Sequence, residues 1–321
     1  MHACCRAIGL KFAKPLRKFS TNITNTDNIP SRAFLYVPAS DTRKLAKAYD
    51  LKVDCLVLNC EDGVALNQKD VARKNVLDIL NNDQRAKFAA DIVSVRVNDL
   101  ATPFFEDDFK SILTANQKPE MIIIPKVNDP AEMSKIAGIF HKYKSNHIPD
   151  IIICIESAKA VMLLQEICAE AFKQADRCNF APVGLLFGGD DYLASIGATK
   201  TSDHMEIIYA RQKLVNVAKA FGLQAIDIVH INYKDLNALE EQCKQGMRMG
   251  YTGKQVIHPM QVETVHKCFS PNSEQIEWAT ALISEFTAHE AKGAGAFTFR
   301  GNMIDAPLMK QARNIIKLAN K

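Results

Sequence analysis

A chain of 321 residues with 47% hydrophobic content can bury a large core, as one big domain or two small ones. Its formal charge of +4 is concentrated at the start, where no acid precedes Asp27 and Arg6, Lys11, Lys14, Arg17 and Lys18 are all basic. The body is therefore near neutral, which excludes the basic face of a nucleic-acid binder, and no stretch holds the ~18 consecutive apolar residues of a membrane span.

The leader, residues 1–22, is basic and acid-free, with apolar residues scattered among the charges and Ser/Thr/Asn at its end. That composition belongs to a mitochondrial transit peptide and not to a secretory signal. Residues 23–31 form a polar linker. The nine cysteines include no C-x-x-C pair, so neither a zinc site nor a disulfide framework is expected, which suits a reducing compartment.

A strand–helix rhythm begins after the linker. Apolar runs predict strands at 33–37, 55–58, 92–97, 121–124, 151–155, 183–187, 225–229 and 253–257. Helical patterns fill the gaps, including 68–80, 105–113, 130–141, 158–171, 204–221, 236–249 and 261–268, with Asp41 and Ser157 as N-caps. Eight such units in series predict a TIM (β/α)8 barrel over 32–270. No glycine-rich loop follows the first strand, which argues against a dinucleotide-binding open sheet. Beyond the barrel, 271–321 reads as a helical extension. A helix over 273–290 carries Trp278, Leu282, Ile283 and Phe286 as a packing stripe, Gly293–Gly295 is a hinge, and a lid or subunit arm comes after it.

Parallel barrels carry their chemistry at the C-terminal ends of the strands. There the sequence places Glu61, Asp62, Arg96, Lys126, Glu156, Asp190, Asp191, Asp227 and His258. Glu156 and Asp191, from adjacent strands, suit a Mg²⁺ site, because hard oxygen ligands leave positions for water and substrate. One of Asp190 and Asp191 can instead be a helix cap. Arg96 can clamp a carboxylate or developing enolate, or sit in an ion pair with Glu61 or Asp62; composition does not choose.

The motifs RAFLYVPAS, CEDGV, RVN, PKV, the Ile155-Glu156 strand end, VGLLFGGDDYLASIGA, GKQVIHP and GAFTF-GNMID occur in this order. Together they resemble the citrate lyase β-subunit-like proteins, grouped with the HpcH/HpaI aldolases. The resemblance implies a Mg²⁺-dependent lyase that splits (3S)-citramalyl-CoA into acetyl-CoA and pyruvate. It also implies side malate synthase and malyl-CoA thioesterase activities, a homotrimer, and work in the mitochondrial matrix. By position, Glu156 and Asp191 match metal ligands and Arg96 a substrate-binding arginine. Tyr36, Arg43 and Lys47 match contacts to the coenzyme A part. Gln255 and Val256 match a backbone contact, and Asp305 matches the catalytic acid of the extension. Two departures stand out: Asn59 where relatives usually have Asp, and Arg43 where they often have Lys. A lyase or thioesterase for malyl-CoA, or a non-catalytic acyl-CoA-binding subunit, are the other readings of the same residues.

Overall fold

The computed structural model describes residues 30–82, 84–143, 147–290 and 297–320. Eight parallel strands close on themselves: β1 (Ala33–Pro38), β2 (Cys55–Asn59), β3 (Ile92–Arg96), β4 (Met121–Ile124), β5 (Asp150–Ile155), β6 (Ala181–Phe187), β7 (Gln224–Asp227) and β8 (Gly253–Val256), with β8 bonded to β1. The expected barrel is therefore present, with helices around it. The leader and the Gly293–Gly295 hinge lie outside the described residues. No helix among those described is long and apolar enough to cross a membrane.

The strands are apolar on both faces because both faces are covered. Phe34, Val57, Ile123, Ile152, Cys154 and Ile226 fill the barrel interior. Their neighbours Leu35, Leu58, Ile122, Ile153 and Ile155 face outward into the helix layer. The two-residue period of a strand then sets which way the polar residue at the end of each run points. Asn59 shares the inward side with Val57, and Glu156 shares it with Cys154. Asp227, one residue past Ile226, does not.

Local chemistry ends the elements where expected. Asp41 accepts from the amides of Arg43 and Lys44 (both 3.1 Å), and Ser157 Oγ accepts from Ala160 N (3.1 Å). The helix expected over 158–171 differs. It is split at Leu163 into Ala158–Met162 and Leu164–Cys178, which turns Val161 and Ile167 separately into the core. The Gly-Gly-Asp-Asp segment opens a helix, Gly189–Ile196, that sequence pattern missed. The extension adds a hairpin, β9 (Phe297–Phe299) and β10 (Asn302–Ile304), turned by Arg300 and Gly301 at φ 48° and 84°. The hairpin and the helix Ala306–Ala319 pack on Ser273–Glu290 around their own core of Leu282, Phe299, Ile304 and Met309.

At the opposite end of the barrel from the strand C-termini, Asp150 opens β5 partly buried, and burial pushes its carboxyl up to about 6. The folded state therefore holds a proton that the unfolded chain releases near pH 3.9. Stability contributed by this group is present below that pH and is lost as pH rises through about 6. Asp150→Asn is expected to raise stability at pH 7.5 by about 1–2 kcal/mol and to change nothing below pH 4, read by urea unfolding at both pH values. Equal effects at both would show that the carboxyl is not strained by burial.

Candidate active site

The C-terminal mouth gathers charge in an ordered way. Arg96, at the end of β3, is nearly buried, and its Nη2 lies 2.8 Å from Glu61 Oε2, 3.4 Å from Asp62 Oδ2 and 3.5 Å from Glu156 Oε1. Lys126, just beyond β4, reaches Glu61 Oε1 at 2.8 Å, Asp62 Oδ1 at 3.2 Å and Asp191 Oδ1 at 3.9 Å. Glu61 thus gives one oxygen to each cation. The ion-pair reading of Arg96 holds: it is paired with Glu61 and Asp62 and also faces Glu156.

Glu156 is 4% exposed. Its Oε1 faces Arg96, while its Oε2 is buried with no hydrogen-bond partner. Burial pushes its carboxyl up to about 7, against the pull of Arg96 and with Asp191 adding to the rise. Tyr36 Oη and Arg96 Nε are likewise buried and unpartnered, and the guanidinium lies over the Tyr36 ring at 5.7 Å from its centroid. Unsatisfied buried polar atoms are costly, so three in one mouth mark a place prepared for a ligand. Gly188 makes room for the Glu156 side chain, because a Cβ there would come within 2.5 Å of Glu156 Cγ.

Asp191 sits in the first turn of helix Gly189–Ile196, about half exposed, where the helix dipole favours a carboxylate. Its neighbour Asp190 is turned aside to Lys200 at 2.7 Å. Among the described residues no three His, Cys, Asp or Glu side chains form a complete metal cage. Mg²⁺ needs none, because it binds through one or two carboxylates and keeps waters and substrate oxygens. The orphaned Glu156 oxygen and half-open Asp191 fit that ion by donor type, and Glu156 and Asp191 would hold it.

A cavity of about 570 Å³ runs outward from Arg96 and Tyr36, past Asn59 and Gln255, to Lys44 and Lys47. That size suits a small-molecule site. Gln255 Nε2 donates to the carbonyls of Phe187 (3.0 Å) and Asp227 (3.2 Å), while Val256 faces the outer core. Asn59 Oδ1 accepts from Glu61 N at 3.0 Å, which sets the Glu61 turn. Arg43 is exposed on helix Thr42–Lys47 but does not line the cavity; Lys44, which sequence reasoning passes over, does.

Three placements correct or extend the sequence reading. Asp227 is not in the mouth: it faces outward and pairs with Arg211 at 2.7 Å. Asp305 caps helix Ala306–Ala319 through Leu308 N (3.2 Å), is exposed, and does not line the cavity of its own barrel. Lys69 is a residue the sequence does not single out; its buried Nζ donates to the carbonyls of Cys60 and Glu61, both at 2.9 Å, and props up the acidic turn from beneath. No local pattern signals a lysine eight residues downstream in that role.

The chain is 42% identical over 295 residues to human mitochondrial citramalyl-CoA lyase, covering 91% of this chain and 86% of that protein. It is 41% identical over 303 residues to the mouse protein of the same name, covering 93% and 89%. Among solved structures it resembles CitE from Mycobacterium tuberculosis in complex with magnesium, acetoacetate and coenzyme A, with a TM-score of 0.70, 25% identity, and coverage of 91% of this chain and 98% of that one. Residues 32–259 match the HpcH/HpaI aldolase/citrate lyase family, and the chain belongs to that family.

Proposed function

We propose that this chain is a Mg²⁺-dependent carbon–carbon lyase that cleaves (3S)-citramalyl-CoA into acetyl-CoA and pyruvate in the mitochondrial matrix. The reading draws on the similarity to citramalyl-CoA lyases. The observation that carries it is the orphaned carboxylate of Glu156, whose other oxygen lies 3.5 Å from the Arg96 guanidinium, a group that lines the cavity.

When bound, Mg²⁺ supplies Lewis-acid polarisation of the substrate's hydroxyl and adjacent carboxylate. The chain's own groups do the rest. Burial works against the charge of Arg96, but Glu156 and Glu61 outweigh it and keep the guanidinium protonated. Arg96 therefore offers a fixed, charged donor to the thioester oxygen, where negative charge develops as the carbon–carbon bond breaks. Lys44 and Lys47, at the outer end of the cavity, suit the phosphates of coenzyme A. As the bond breaks, the substrate hydroxyl gives up its proton to solvent and becomes the ketone oxygen of pyruvate, and the electron pair of the broken bond is left on the acetyl carbon, which must take a proton. Asp305 is the acid for that step. Because it does not line its own cavity, it serves a neighbouring subunit of a homotrimer. Mixing Glu156→Gln chains with Asp305→Asn chains is expected to recover activity that neither has alone; mixtures as inactive as their parents would place the acid elsewhere.

The test of the reaction is pyruvate release from (3S)-citramalyl-CoA by protein lacking residues 1–22, followed with a coupled dehydrogenase. Pyruvate with Mg²⁺ and none with EDTA is expected. Free coenzyme A without pyruvate would replace the lyase reading with a thioesterase, and no turnover of either kind would leave a binding subunit.

A further inference from the structure

Lys126 has no role in the chemistry above, yet the chain adopts strained backbone to place it. Directly after Pro125 its φ is +53°, in the left-handed region that a branched or long side chain enters only at a cost. The conformation is held from outside: Asn128 Nδ2 donates to the Lys126 carbonyl at 2.8 Å, and Ser157 Oγ donates to Asn128 Oδ1 at 2.6 Å. Ser157 is the residue after Glu156. The lysine and the buried carboxylate are thus fixed to one another through two hydrogen bonds.

The result is an ammonium among three carboxylates, Glu61, Asp62 and Asp191, with about a quarter of its side chain exposed. Counting the mouth by name, Glu61, Asp62, Glu156 and Asp191 outnumber the cations that face them, Arg96 and Lys126, with Lys69 beneath the turn. We infer that Lys126 is the resident counter-cation of this mouth: it competes with the divalent ion for Asp191 and holds its affinity down. It is a positioning residue, acting through Asp191 and Glu61. This inference rests on the proposed metal site.

The test is equilibrium binding of Mn²⁺, followed by its electron paramagnetic resonance signal, with no substrate present. Lys126→Gln keeps an amide to hydrogen-bond Glu61 and Asp62 but removes the charge, and is expected to bind Mn²⁺ about tenfold more tightly at low salt. The gain should shrink as ionic strength rises. Lys126→Arg is expected to bind as the wild type does. A Lys126→Gln protein with the wild-type melting temperature in EDTA and unchanged or weaker Mn²⁺ binding would overturn the inference. A Lys126→Gln protein that fails to fold shifts the test to Asn128→Ala, which frees the lysine backbone; it too should bind Mn²⁺ more tightly, and unchanged binding overturns the inference. If wild-type protein binds no Mn²⁺ at all, the metal site of the proposed function fails and this inference with it.

Discussion

Glu156→Gln is expected to lower turnover by at least ~10³-fold and to abolish saturable divalent-cation binding, while leaving the melting temperature in EDTA unchanged or higher. The variant keeps the size of the side chain and loses only its charge. Two features of the site set the direction. The carboxylate is 4% exposed and one of its oxygens has no partner, so in the folded protein without ligand it is held at a cost. Removing a group the fold holds at a cost does not weaken the fold. Arg96, its neighbour at 3.5 Å, keeps Glu61 and Asp62 as partners and is not stranded.

A companion variant reaches the same carboxylate without touching it. Gly188 has φ −91°, which any residue adopts, so the glycine is not needed for its backbone. It is needed for space: a Cβ would lie 2.5 Å from Glu156 Cγ and 2.9 Å from its Cδ. Gly188→Ala should therefore displace the carboxylate and weaken metal binding with a stability cost of only about 1–3 kcal/mol. Isothermal titration with Mg²⁺ decides both. Tight, saturable binding retained in Glu156→Gln would remove Glu156 from the ligand set.

How legible was this in the sequence? The barrel was, because eight apolar runs separated by helical patterns admit few other arrangements, and the family motifs fell at the ends of those runs. The side of the wall on which each strand-end charge lands was not. Glu156 and Asp227 look alike in the sequence, Glu156 a carboxylate closing a short apolar run and Asp227 one carried within such a run. On a strand that is apolar on both faces, alternation carries no signal of inside and outside. Only pairing settles it: Cys154 points into the barrel and Glu156 with it, whereas Ile226 points in and Asp227 therefore points out. The extension was legible as helices but not as a hairpin, since three-residue strands fall below what periodicity detects. The prop under the acidic turn, Lys69, depends on tertiary proximity alone.

That misplaced carboxylate yields the largest expected effect on stability. Asp227 is fully buried and pairs with Arg211 through two bonds, Nη2 at 2.7 Å and Nε at 3.1 Å. Arg211 is itself 1% exposed and also reaches Gln245 at 2.9 Å. A second buried cation, Lys254, lies 3.7 Å from Asp227, and its Nζ has no hydrogen-bond partner. Breaking a buried pair usually costs about 3–5 kcal/mol, because the survivor is left charged and dry. Here the two halves of the pair are not equivalent. Arg211→Met leaves Asp227 facing Lys254, so the survivor still has an opposite charge. Asp227→Asn keeps the shape but strands two cations against each other. Asp227→Asn should therefore be the more destabilising, toward the upper end of that range, and Arg211→Met toward the lower. Denaturant unfolding of the two variants reads the order directly, and an Arg211→Met protein less stable than Asp227→Asn would show that Lys254 does not act as a counter-charge. Neither residue lines the mouth cavity, so the folded fraction of each variant should turn over within a few fold of the wild type. A loss of turnover beyond the loss of folded protein would mean that the Asp227 carbonyl, which accepts from Gln255 at 3.2 Å, transmits the change to the cavity.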